Sequence, residues 1–239
     1  MTAEPGGVAP VVEAARIHKV HRSEAGPLVV LDEIDLIVPA GQFLAITGPS
    51  GSGKSTLLHC LSGLDVIDSG TVRIDGVDLA SLSDRERSAR RALSMGFVFQ
   101  AFNLISVLTA EQNVALALQL GGVERGEALG RARRELDRVG LGARRSHLPS
   151  RLSGGEQQRV AIARATAPKP RILWADEPTG SLDRASSADV LDLFEQAHAA
   201  GVTVILVTHD PDLAALAQRR IALCDGRIVT DDKSGIGER

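Results

Sequence analysis

The sequence predicts an α/β fold: a mostly parallel sheet, an antiparallel β region ahead of it and an all-helical insertion within it. Three observations carry that expectation. A glycine-rich loop, Gly48-Pro49-Ser50-Gly51-Ser52-Gly53-Lys54-Ser55-Thr56, follows the apolar run 42–47 and precedes the helical stretch 57–61. Strand, glycine loop and helix in that order make a phosphate cradle. Two continuous apolar runs, 172–175 and 202–208, flank a helical pattern at about 185–200. Such runs mark strands buried on both faces, and their alternation with a helix is a βαβ unit of a parallel sheet. Between residues 109 and 148, by contrast, only helical patterns occur.

The chain has 239 residues and a formal net charge of −3, enough for one large domain with a sub-domain and without a global pull towards nucleic acid or anionic lipid. Aromatic residues are few: five Phe, one Trp and no Tyr. Cys60 and Cys224 read as core residues and not as a disulfide or metal pair, which suits a reducing compartment. Residues 1–10 lack the basic and apolar regions of a signal peptide and read as a flexible tail. No apolar run has the length to span a bilayer, so the protein is expected to be soluble by itself and to reach a membrane through a partner.

In chain order, residues 11–21 and 27–39 look like strands. In the second, apolar residues recur at even positions (Leu28, Val30, Ile34, Leu36, Val38), the period of a half-buried strand. A turn at 39–41 leads into the loop strand. Residues 70–76 form a short strand closed by a turn, 83–91 a helix with a solvated charged face, and 96–100 another strand. Thr109 to Gln112 is a capping box that opens a helix ended by Gly121 and Gly122. A second helix runs over about 125–139. The cluster Arg131, Arg133, Arg134, Arg138, Arg144, Arg145 and Arg151 is interleaved with Glu135 and Asp137 and has no aromatic neighbour for base stacking, so a solvated face is expected. After residue 172 strands return, with an apolar strand around Cys224, a hairpin at 225–229 and a polar tail over 231–239.

The chemistry sits in three places. In the glycine loop, backbone N–H groups and the helix N-terminus face phosphate, Lys54 reaches the β- and γ-phosphates, and the Ser55 hydroxyl suits Mg²⁺. Asp176 and Glu177 end a buried strand, where α/β sheets build their sites. Acids there also cap helices, but Pro178 follows directly and two adjacent carboxylates are costly without a cation. Such a pair suits Mg²⁺ binding by the first acid and polarisation of an attacking water by the second. Finally, Ser153-Gly154-Gly155-Glu156 opens a helix as a capping box. Its two glycines weaken that helix by about 1 kcal/mol each relative to Ala, which points to a second anion site at bare N–H groups.

Gly48 to Ser55, Gln100, Leu152 to Glu156, Asp176-Glu177, Ser181 to Asp183 and Thr208-His209-Asp210, in this order and spacing, closely resemble an ABC-type ATPase domain over about residues 12–230. The resemblance implies a P-loop NTPase fold with a RecA-like core at about 11–100 and 152–230, and a helical sub-domain at about 101–151. It implies a head-to-tail homodimer holding two ATP molecules at its interface. Gly48 to Thr56 of one subunit would hold the triphosphate, and Ser153, Gly154, Gly155 and Glu156 of the other would close on the γ-phosphate. Ser55 and Asp176 would hold Mg²⁺, and Gln100 would touch Mg²⁺ or the lytic water and sense the partner. Glu177 would be the general base, His209 would bind the γ-phosphate and order that water, and Asp183 would link the two sites. Where the family places an adenine-stacking aromatic, this chain has His21.

Details such as Gly96 to Leu104 and Ala175 to Gly180 resemble the branch of lipoprotein-release, macrolide-export and FtsE-like cell-division ATPases. That branch implies a peripheral subunit on the cytoplasmic face beneath a permease, exporting or extracting a lipophilic or peptide-like substrate. A regulator that drives a membrane partner without transport is the alternative, and an ATPase acting on DNA or ribosomes a remoter one. Phe102, Leu104 and Ile105 are either anchors for the permease or interior residues; spacing leaves both open.

Overall fold

The computed structural model describes residues 9–23 and 26–233. An antiparallel sheet forms from β1 (Pro10–Ser23), β2 (Gly26–Pro39), β4 (Ser69–Ile74) and the two-residue β5 (Val77–Asp78), in the order β2-β1-β4-β5. A six-stranded sheet forms from β3 (Phe43–Thr47), β6 (Met95–Phe99), β7 (Ile172–Asp176), β8 (Thr203–Val207), β9 (Arg219–Cys224) and β10 (Arg227–Asp232). Its order is β10-β9-β3-β8-β7-β6, parallel except at the β10 edge. Among the described residues there are seven α-helices: α1 (Lys54–Leu61), α2 (Asp84–Ser94), α3 (Ala110–Leu120), α4 (Arg125–Arg138), α5 (Gly154–Thr166), α6 (Arg184–Ala199) and α7 (Pro211–Ala215). The short α7, opened by Asp210 and Pro211, has no counterpart among the sequence expectations.

Alternation along the central strands sorts side chains into two cores. Phe43, Ala45, Leu173, Ala175, Val204 and Leu206 face one way and pack with α3, α4, α5 and α6. Leu44, Ile46, Ile172, Trp174, Ile205 and Val207 face the other way, towards α1 and the antiparallel sheet. Strands apolar on both faces are what such a three-layer arrangement requires. The first cluster runs without a break from the sheet through Val160 and Ile162 of α5 to Val114 of α3 and Leu136 of α4. The helical insertion therefore shares its core with the sheet.

The even-position pattern of β2 holds only from Ile34 onwards. Leu28 is 64% exposed, whereas Leu31 is fully buried. The cause is a bulge: Glu33 has φ 50, and the pairing moves from Ile17↔Ile34 to Lys19↔Leu31, one residue more on β2 than on β1. An extra residue flips every side chain beyond it to the opposite face. The ordered ends also reach past the expected boundaries. Pro10 pairs with Pro39, and Ala40 N–H donates to Ala9 C=O at 3.1 Å. At the other end Asp231, expected in the polar tail, accepts two hydrogen bonds of 2.7 Å from the buried Arg219, which hold its carboxyl below the usual carboxylate range. Most of the expected N-terminal tail (residues 1–8) and of the C-terminal one (234–239) lies outside the described residues.

Cys60 is buried, which pushes its thiol up to about 12. Cys224 is only half-buried beside the β9–β10 turn, because the strand ends there; both thiols are free. The arginine cluster is largely neutralised within its own surface: Arg133 pairs with Glu111, Arg138 with Glu135, Arg144 with Glu156 and Arg145 with Asp137.

Gly96 sets the approach of β6 to α5. A Cβ there would lie 2.4 Å from the backbone oxygen of Ala165 and 3.1 Å from Leu173 Cδ1. Backbone cannot give way as a side chain does, so Gly96→Ala must push α5 off the sheet. The expected cost is about 1–3 kcal/mol, or several degrees in Tm. A thermal melt coincident with that of the unaltered chain would contradict this close approach.

Candidate functional site

Parallel register places the chemistry-bearing segments side by side. Ile46 of β3 pairs with Val207 of β8, Val207 with Asp176 of β7, and Asp176 with Phe99 of β6. The glycine loop, Gln100, Asp176-Glu177 and Thr208-His209 therefore leave the sheet at one edge, outside the C-terminal strand ends. That edge is where open parallel sheets bind ligands.

The glycine loop is shaped by close approach. Gly48 has φ 136 and a Cβ would lie 2.1 Å from Leu223 O; Gly53 has φ 99 and a Cβ would lie 2.6 Å from Val30 O. Residues with side chains are excluded there twice, by conformation and by space. Helix α1 has no side-chain cap, whereas the other six helices each begin with a side chain accepting from their first turn. Its first N–H groups thus remain directed at the cavity, a ready anion site. Lys54, only 6% exposed, donates to the carbonyls of Gly48 at 3.0 Å and Pro49 at 2.8 Å. Ser55 Oγ donates to Asp176 Oδ1 at 2.9 Å.

A cavity of about 690 Å³ opens over this loop. Ser50, Gly51, Lys54, Ser55 and Thr56 form its floor, His21 with Leu28 and Val30 one end, and Gln100, Glu177, Gly180 and His209 the other. Gly48, Pro49 and Ser52 lie in the loop without lining it, and Asp176 adjoins it through the hydrogen bond from Ser55 without lining it. Glu177 adopts φ 49, and its N–H donates to Val207 C=O at 2.9 Å, which turns the carboxylate across the strand ends. Both carboxylate oxygens meet His209: the backbone N–H donates to Oε2 at 3.2 Å and Nε2 stands 3.1 Å from Oε1. A carboxylate oriented by an imidazole within hydrogen-bond reach is an arrangement for general-base chemistry.

The signature segment lies elsewhere. None of Ser153, Gly154, Gly155 and Glu156 lines the cavity. The capping box is present, with Ser153 N–H donating to Glu156 Oε2 at 2.8 Å and Glu156 N–H to Ser153 Oγ at 3.2 Å. Glu156 also pairs with Arg144 at 3.0 Å, and the Ser153 N–H, chiefly, holds its carboxyl below the usual range. Its carboxylate is thus engaged at the helix entry and by Arg144. Asp183 caps α6, accepting from Ser186 N–H and Ser186 Oγ at 2.9 Å each. These bonds, the backbone one foremost, lower its pKa.

A residue that sequence reasoning missed connects the two regions. Gln158, fully buried on α5, donates to Pro178 C=O at 2.6 Å and to Phe99 C=O at 3.4 Å. The signal was there: Gln158 precedes Ile162 and Ala165 on the apolar face, and a polar residue on such a face needs partners.

Phe102, Leu104 and Ile105 divide. Leu104 packs against the core beneath the helices, as the interior reading has it, while Ile105 is 43% exposed. Phe102 and Asn103 take φ 60 and φ 50, with both carbonyls accepting from Arg164. Beside them runs a mainly apolar groove of about 360 Å³, walled by Leu64, Met95, Phe97, Phe99, Ala117 and Leu120. None of the three anticipated anchors lines it; its walls come from segments distant in sequence.

Residues 31–180 match the family model described as ABC transporter. The chain belongs to the ABC transporter family. This ABC-type ATPase is 48% identical over 222 residues to the macrolide export ATP-binding/permease protein MacB of Rhodospirillum rubrum, covering 93% of this chain but 34% of that protein. It is 44% identical over 229 residues to the lipoprotein-releasing system ATP-binding protein LolD of Bordetella pertussis, covering 95% of this chain and 99% of that one. The chain thus spans about a third of the MacB relative and nearly all of the LolD relative. Among solved structures it resembles the ATP-binding cassette MJ0796 in a dimeric post-hydrolysis state bound to ADP and Pi. There the TM-score is 0.88 and the identity 38%, covering 93% of this chain and 98% of that one. The fold is accordingly that of the P-loop ATPases, and the ABC cassette binds and hydrolyses ATP.

Proposed function

We propose that this ABC ATPase works as a homodimer on the cytoplasmic face of a membrane, where ATP-driven closure powers a separate permease that exports or extracts a lipophilic or peptide-like substrate. The observation that carries the reading is the end-to-end match to an ATP-binding protein of a lipoprotein-releasing system. Among the described residues no helix is long and apolar enough to cross a membrane. The apolar groove beside Phe102 and Asn103 supports docking of a short helix from such a partner, with Phe97, Phe99 and Leu120 as its walls.

In this reading the triphosphate lies along Gly48 to Thr56, with Lys54 on the β- and γ-phosphates and His21 against adenine, assisted by Leu28 and Val30. The donor set fits Mg²⁺: Ser55 Oγ and Asp176 Oδ1 already face each other, both are hard oxygens, and Gln100 stands at the same cavity. A hard cation that keeps several waters and takes phosphate oxygens needs only one or two such protein groups. Bound there, Mg²⁺ would neutralise charge on the phosphates. Glu177 accepts the proton of the attacking water, and His209 holds that carboxylate in place through its N–H and its ring. Ser153, Gly154 and Gly155, which lie off this chain's own cavity, act on the partner's γ-phosphate. Asp183, capping α6 next to Ser181 and Leu182, relays between the two sites.

The test is capture of the partner. Tagged Glu177→Gln chain with Mg·ATP, extracted from membranes in mild detergent, should retain a stoichiometric integral membrane protein and lose it in ADP. Recovery of soluble protein, ribosomes or nucleic acid alone would overturn the permease reading.

A further inference from the structure

Helix α1 offers Asp176 a second side chain. Ser55 and His59 are four residues apart, so they share a helix face one turn apart. Ser55 Oγ donates to Asp176 Oδ1 at 2.9 Å, and His59 Nε2 stands 3.7 Å from Oδ2 of the same carboxylate. One helix therefore addresses both oxygens.

His59 is held firmly for this. Its carbonyl accepts from Leu64 N–H at 2.9 Å, Asp65 N–H at 3.1 Å and Ser62 Oγ at 3.2 Å, which pins the last turn of α1. The ring rests against Phe99, with centroids 6.4 Å apart and planes inclined by 59°. Phe99 in turn stacks on Phe97 at 6.1 Å, and both line the apolar groove. The imidazole thus has apolar support on one side and the carboxylate on the other. A histidine near a helix C-terminus also suits the helix dipole, a role that involves neither oxygen of Asp176.

We propose that His59 is a positioning residue that fixes the Asp176 carboxylate for the Mg²⁺ site; this rests on the reading of Asp176 as the cation's carboxylate. With Ser55 Oγ turned to the cation, the Ser55–Asp176 hydrogen bond is released. His59 is then the side chain of α1 that remains beside that carboxylate, with Nε2 3.7 Å from Oδ2. Residues that orient a metal-binding carboxylate typically change metal affinity by about 10–100-fold when removed, and the partial exposure of His59 places it at the lower end.

The experiment uses Mn²⁺ as the spectroscopic substitute for Mg²⁺, titrated into the full chain with a saturating non-hydrolysable ATP analogue and read by electron paramagnetic resonance. His59→Leu should weaken Mn²⁺ binding about tenfold, leaving analogue binding in EDTA and Tm unchanged. His59→Gln keeps an N–H donor and should recover most of the affinity. An unchanged Mn²⁺ affinity in His59→Leu would overturn the proposal. Should that variant fail to fold, His59→Gln against His59→Ala decides, equal affinities again overturning it. Asp176→Asn separates the two levels: if it leaves Mn²⁺ binding intact, the cation reading of Asp176 fails and not the role of His59 alone.

Discussion

Glu177→Gln is expected to lower ATP turnover by about 10²–10⁴-fold while leaving ATP affinity within a factor of a few, because proton acceptance is lost and little else changes. The backbone at position 177 is already left-handed, with φ 49, and Gln meets the same conformational cost as Glu. The His209 N–H that donates to Oε2 still finds an amide oxygen. What disappears is a carboxylate able to take a proton from water. With closure intact and hydrolysis blocked, the variant should accumulate as an ATP-dependent dimer on size exclusion, dispersing when ATP is removed. Ordinary turnover in this variant would remove Glu177 from the base position.

Gly154→Asp is the second large effect, and it separates a structural from a functional account of the signature. A Cβ at Gly154 meets only ordinary contacts, Phe102 Cζ at 3.7 Å, Leu182 Cδ2 at 3.8 Å and Ser181 O at 3.9 Å. The position is the first residue of α5, where replacing Gly favours the helix and a carboxylate suits its dipole. The monomer should therefore be unchanged or stabilised by up to about 1 kcal/mol, with ATP binding retained. If this helix start receives the partner's γ-phosphate, the new charge repels it, and both the ATP-dependent dimer and turnover should vanish. Wild-type turnover in a stabilised Gly154→Asp chain would remove Gly154 from the phosphate role; Gly155 already has a packing reason, because a Cβ there would lie 2.7 Å from Ser186 Cβ.

The legible parts were those where local chemistry has one solution. A glycine loop between strand and helix, two acids ending a buried strand and the Ser153–Glu156 capping box each carry their reason within a few residues. Less legible was whatever long-range register decides. The bulge at Glu33 turned Leu31 inward and Leu28 outward, which an even count of apolar residues cannot foresee. Glu156 and Asp183, named for the site by motif, have carboxylates engaged by helix caps and, for Glu156, by Arg144.

By itself the sequence determined the layered α/β architecture, the phosphate loop, and the identities of the acids and of His209, because periodicity and residue chemistry are local properties. Only the tertiary structure decided which oxygens meet. Parallel pairing set Phe99, Asp176, Val207 and Ile46 abreast, and from that came the His209 grip on Glu177 and the approach of His59 to Asp176. The same packing put the signature helix away from the loop cavity and built an apolar groove from four separate segments. Such contacts depend on strand order and close packing between residues far apart in the chain, and no short-range pattern encodes them.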